Sequence, residues 1–145
     1  MPFVPLRLLV LYDDARGYCG RVVPRMVQQL QQRAFEVDTH EIGQGAIDIG
    51  SYQGLILGSP VYGFGLKGVG PTPELISMVE GLEDLEDHRV AVFCVYELHA
   101  GTTLARMRGL VEQLGGTFVA GREYWALRPE QGAHILPAEC MVRIR

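Results

Sequence analysis

Gly54-Leu-Ile-Leu-Gly-Ser-Pro-Val-Tyr-Gly-Phe-Gly65 is an apolar run that stops abruptly at small, turn-forming residues carrying two aromatic rings. A short continuous apolar stretch of this kind reads as a strand buried on both faces. In an open parallel sheet, the loops at the carboxyl ends of the strands form the crevice in which ligands bind. The stretch therefore predicts a strand that delivers a ligand loop, and the rest of the chain has to supply the other loops.

Working outward, Leu6 to Tyr12 is short and apolar, ends at Asp13-Asp14, and reads as a central first strand. Between Arg21 and Arg33 the residues Val22, Val23, Met26, Val27 and Leu30 recur at helical spacing. Pro24 pushes the predicted start of that helix to about Arg21 or later, because proline is tolerated in a first turn. Phe35 to Ile42 alternates as a strand near a sheet edge does. After the Gly54–Ser59 strand, Pro71-Thr-Pro73 primes a helix with Leu75, Val79 and Leu82 on one stripe. Val90 to Tyr96 is another buried strand, and Leu104, Met107, Val111 and Leu114 mark a helix ended by Gly115-Gly116. Thr117 to Ala120 begins the last strand. Five apolar strands alternating with helices specify a doubly wound parallel α/β sheet with helices on both faces. From Arg122 to Arg145, apolar residues such as Trp125, Ile135 and Met141 keep neither period for long, and a closing helix there is a weak expectation.

The 145 residues are 48% hydrophobic, enough for one domain, residues 1–145, with its own core. Cys19, Cys94 and Cys140 are odd in number and widely spaced, which suggests neither a disulfide framework nor a zinc site. The remaining histidines, His40, His88 and His134, show no metal-like spacing. The expectation is a cytoplasmic protein with neither a secretion leader nor a membrane span. A net charge of -4 without a Lys/Arg stripe argues against a nucleic-acid partner.

The run from Asp48 to Tyr62, with Gly58-Ser-Pro-Val-Tyr62 closing it, resembles the flavodoxin family, whose third strand ends in Gly-Ser/Thr-Pro-x-Tyr. The similarity covers residues 6 to about 121, mostly by spacing outside that motif. It implies strand order 2-1-3-4-5 and flavin mononucleotide (FMN) at the carboxyl end of the sheet. It also implies an electron-transfer protein or a small FMN-dependent oxidoreductase, with a redox protein as a possible partner.

The resemblance implies a cofactor site of three loops. The phosphate loop maps to Asp14, Ala15, Arg16, Gly17, Tyr18 and Cys19, and the ring loops to Pro60, Val61, Tyr62, Gly63 and Phe64 and to Tyr96, Glu97, Leu98, His99 and Gly101. Tyr62 is the residue expected to stack on the ring, with backbone amides of the 96–101 loop tuning it. Phe64 has ordinary loop packing as its competing reading, and His99 that of an exposed residue at a helix start.

The phosphate loop departs from the family pattern. Flavodoxins carry Ser/Thr-x-Thr-Gly-x-Thr there, and only Gly17 matches clearly. Ala15, Arg16 and Cys19 replace hydroxyl donors, each a loss of about 1 kcal/mol of hydrogen bonding. A carboxylate about 4 Å from a phosphate is repelled by roughly 4 kcal/mol per unit charge at an effective dielectric near 20. Asp13 and Asp14 are thus decisive: Arg16 or Arg21 offsets them by pairing with the phosphate, or they turn away to cap the helix, or the scaffold binds no flavin. The last is the alternative function, a flavin-free protein-binding or assembly module.

Cys19 to Arg25 has the C-x5-R spacing of thiol phosphatases and arsenate reductases, a third reading, with Cys19 activated by the helix start. Against it, Val22, Val23 and Pro24 suit a helix face rather than an anion loop. Cys94 reads as an inert core residue. The acidic run Glu80 to Asp87 reads as a solvated helix end.

Overall fold

A computed structural model describes residues 6–63, 69–82 and 84–127. Five strands, β1 (Arg7–Tyr12), β2 (Glu36–Glu41), β3 (Gly54–Pro60), β4 (Arg89–Tyr96) and β5 (Thr117–Trp125), form one parallel sheet in the order β2-β1-β3-β4-β5. Helices α1 (Cys19–Gln32), α2 (Pro73–Gly81) and α3 (Thr103–Gln113) connect them. The predicted doubly wound sheet and its strand order are both present.

Strand alternation divides the core into two layers. Leu8 and Val10 of β1, Ile56 of β3 and Ala91, Phe93 and Val95 of β4 pack with Val22, Val23, Met26 and Leu30 of α1. Leu9, Leu11, Leu55, Leu57, Val90, Val92 and Cys94 face the other way, onto Leu75 and Val79 of α2 and Met107 and Val111 of α3. Each large apolar side chain so buried contributes about 1.5–3 kcal/mol, which is why the runs of β3 and β4 belong in the middle. β2 lies at an edge and keeps Glu36, Asp38 and Thr39 exposed.

Gly58 deserves its lack of a side chain. A Cβ built there would lie 2.0 Å from Cζ of Phe93, the fully buried residue opposite it in β4. Phe93 in turn meets Tyr124 edge-on, with ring centroids 5.9 Å apart.

Two boundaries differ from expectation. Helix α1 begins at Cys19, ahead of Arg21, and carries the exposed Pro24 in its second turn. Proline there removes the N–H that would bond the Gly20 carbonyl, a cost confined to one bond, while the amide of Gly20 is satisfied by Asp14. β5 continues through Trp125, so residues 122–125 belong to the sheet. Its period is hidden because the strand is half exposed and a bulge breaks its register opposite Val90/Ala91. The closing helix expected further on lies outside the described residues.

Among the described residues, no helix is long and apolar enough to cross a membrane.

Candidate functional site

The strand order reverses direction at β1 and β3, so the loops leaving these strands diverge to opposite faces and open a crevice between them. A cavity of about 310 Å3 lies there. Val61, Gly63 and Val69 wall it from the loop after β3, and Val95 from the end of β4. Leu98 and His99 line it from the loop after β4, and Arg16 and Tyr18 from the loop after β1.

The wall after β3 is held by backbone. Tyr62 and Gly70 exchange two hydrogen bonds, Tyr62 N–H to the Gly70 carbonyl at 2.7 Å and Gly70 N–H to the Tyr62 carbonyl at 2.9 Å. These close the base of the loop, and Val61 N–H binds the Val95 carbonyl at 2.9 Å. Gly101 has φ +55, and a Cβ on it would lie 2.7 Å from Cγ2 of Val69. Glycine there lets the loop after β4 press against the wall residue Val69.

The loop after β1 is built by side chains. Asp13 is buried, accepts from the Ala15 amide at 3.0 Å, and accepts from the Thr72 hydroxyl. Thr72 is the N-cap of α2: its Oγ1 receives the Leu75 amide at 3.2 Å, and its own amide donates to Ser59 Oγ at 2.9 Å. Asp13 is therefore a structural tie among the ends of β1, β3 and α2. Asp14 turns to the first turn of α1, where Gly20 N–H donates to its Oδ1 at 2.7 Å. Both aspartates have turned inward, as capping geometry allows.

Arg16, with φ +66, reaches across the cavity to Glu97, and Tyr18 donates its hydroxyl to the same carboxylate oxygen at 2.8 Å. The Tyr18 hydrogen bond first, and Arg16 after it, hold the Glu97 carboxyl below its usual range. The same bond raises the Tyr18 phenol. The Glu97 carbonyl accepts from Trp125 Nε1 at 3.2 Å. These contacts bridge the loops after β1 and β4 at the rim of the cavity.

The structure thus brings Arg16, Tyr18, Val61, Gly63, Glu97, Leu98 and His99 to one cavity. Tyr62 flanks it and is 56% exposed, with a surface open to a ligand or a partner. Pro60 is buried at the end of β3, and Tyr96 packs into the layer of α2 and α3. Ala15 and Gly17 are exposed in a single turn of 3-10 helix and, unlike Arg16 between them, do not line the cavity. Phe64 lies outside the described residues. Val69 and Val95 were missed by sequence reasoning. Val95 pairs in register with Pro60, so it is the β4 residue beside the predicted loop, a signal that alternation contained.

Cys19 does not support thiolate chemistry. It is fully buried against α1 and the sheet, and burial first, then the Asp14 and Asp13 carboxylates, push its thiol well above the usual range. An activated nucleophile needs the opposite environment. Cys94, equally buried, is pushed up to about 12 by burial. Among the described residues there is no cluster able to hold a metal.

Val61, Val69, Val95 and Leu98 give the cavity an apolar wall, and Gly63 adds no side chain beyond its backbone. The end of α1 does not fit a phosphate as it stands, because the Asp14 carboxylate already occupies it.

No family model matches the sequence, and no curated protein matches it. Solved structures do. The oxidised flavodoxin 2 of Bacillus cereus superposes with a TM-score of 0.70 at 21% identity, over 95% of this chain and 94% of that one. The two-electron reduced flavodoxin of Megasphaera elsdenii gives 0.71 at 14% identity, over 92% and 93%. The Fusobacterium nucleatum flavodoxin bound to flavin mononucleotide gives 0.63 at 18% identity, over 78% and 68%. At these identities the likeness concerns the fold, and the chain has the flavodoxin-like fold.

Proposed function

We propose that the chain is a flavin-binding electron-transfer protein or small flavin-dependent reductase, with the flavin ring in the cavity between the loops after β3 and β4. The observation that carries this reading is the cavity itself: about 310 Å3 at the switch point of the sheet, walled by Val61, Val69 and Val95 and by the backbone of Gly63. The Fusobacterium neighbour with its bound FMN supplies the precedent for flavin on this fold.

A bound flavin supplies one- and two-electron transfer at its ring. The chain's own residues bind and orient that ring. The valines would exclude water from one face, the glycine backbone would permit close approach, and the exposed Tyr62 would cover an edge. Leu98, 90% exposed, lies on the opposite rim, where an apolar side chain and a redox protein partner can meet. FMN as a whole would bring a phosphate to the loop after β1, where the Asp14 carboxylate already caps the first turn of α1.

The test is the visible spectrum of the purified protein, followed by titration of the flavin-free form with riboflavin and FMN. Binding of either flavin with quenched fluorescence is expected. Absence of binding to both at high micromolar concentration overturns the proposal and leaves a flavin-free module.

A further inference from the structure

The loop after β1 is where the chain meets the tail of any ligand whose ring lies against Val61 and Val69, because Arg16 and Tyr18 of that loop line the same cavity. A helix N-terminus at such a position ordinarily offers its amides to an anion. Here α1 has an anion of its own. Asp14 Oδ1 accepts from the Gly20 amide at 2.7 Å, and a Cβ on Gly20 would lie 2.7 Å from both carboxylate oxygens. The carboxylate is seated flush against the helix end, in a space that exists because residue 20 is glycine.

Three further amides around the loop are also engaged within the chain. The Ala15 amide serves Asp13, the Gly17 amide serves the Asp14 carbonyl at 2.8 Å, and the Arg21 amide serves the Tyr18 carbonyl at 3.2 Å. The cation of the loop, Arg16, is paired with Glu97 across the cavity. A phosphate brought to this helix end would displace one carboxylate and remain beside a second, Asp13, which is itself buried and tied to the buried Thr72 hydroxyl.

We infer that Asp14 stands in the place of a ligand phosphate, so that the cavity selects a flavin whose tail is uncharged and hydroxylated, riboflavin rather than FMN. The inference rests on the flavin reading above. It makes Asp14 a specificity-determining residue that acts by occupying the helix end and repelling a second anion. A hydroxylated tail carries no charge to repel, and it meets the polar rim of Arg16, Tyr18 and Glu97.

The experiment compares riboflavin and FMN binding by flavin fluorescence for the wild-type chain, Asp14→Ser and Asp14→Asn. Serine frees the helix end and asparagine keeps a neutral cap if serine impairs folding. The wild-type chain is expected to bind riboflavin at least about tenfold more tightly than FMN, and both variants to shift that ratio toward FMN by about tenfold. A second readout needs no flavin: inorganic phosphate, against chloride at equal ionic strength, is expected to raise the melting temperature of Asp14→Ser and not that of the wild-type chain. FMN bound as tightly as riboflavin by the wild-type chain, or a ratio unchanged in both variants, overturns this inference and leaves the flavin reading standing. No binding of either flavin to any of the three proteins overturns both.

Discussion

The two sides of the cavity are built on opposite plans. After β3 and β4 it is shaped by side chains that are missing, at Gly63 and Gly101, and by backbone bonds such as the Tyr62–Gly70 pair. After β1 it is filled by side chains, with Asp13, Asp14, Arg16 and Tyr18 all engaged within the chain. The difference teaches that the fold determines where the crevice opens, while the charges a loop keeps for itself determine what the crevice accepts. One side is room for a ligand and the other is already occupied by the protein.

The largest effect belongs to β3, the buried strand that carries the side made by absence. Gly58→Ala sets a methyl group against the fully buried Phe93 ring and displaces its contact with Tyr124. A loss of about 3 kcal/mol in urea unfolding is expected, the upper part of the overpacking range. A loss near zero would mean that β3 and β4 adjust freely, and that this side is not fixed by its backbone.

Asp13→Ala tests the filled side. It leaves the Thr72 hydroxyl and the Ala15 amide without their acceptor, one of them buried, and should cost about 2 kcal/mol, with Asp13→Asn recovering part. If the alanine variant is instead as stable as the parent, the buried tie among β1, β3 and α2 contributes nothing and the contrast between the two sides weakens.

The smallest effect concerns the rim. The Glu97 carboxyl titrates below its usual range in the folded chain, so its contribution to stability is present above the ordinary carboxylate range and is lost as pH falls through the lowered value. Both partners of the Arg16–Glu97 pair are about half exposed or more, so the effect is small. Glu97→Gln should lower the urea midpoint slightly at neutral pH, and the gap from the parent should close in acid. A gap that persists in acid would show that the bridge does not depend on the charge of Glu97.

The sheet was legible in the sequence because burial writes itself into runs such as Gly54–Pro60 and Arg89–Tyr96, every interior residue of which is buried. β5 was legible only at its start, since a half-exposed strand with a bulge carries no steady period. The start of α1 was misplaced because Pro24 is a strong local signal, and because Asp14, one of the two aspartates expected as possible caps, reaches six residues ahead to the Gly20 amide. Position in the loop identified Arg16, Glu97 and His99 as neighbours of the cavity. It could not reveal that Arg16 pairs with Glu97, or that Asp13 pairs with Thr72, because those partners are brought together by the sheet.

The bridge from Arg16 and Tyr18 to Glu97 spans 81 and 79 positions of chain. Contacts of such separation form only after β1, β3 and β4 have aligned, since closing a long loop costs entropy that the sheet must first offset. The cavity is therefore a late product of folding, absent from any intermediate in which β4 is still unpaired. A ligand that requires it can bind and protect the completed fold but cannot guide the chain toward it.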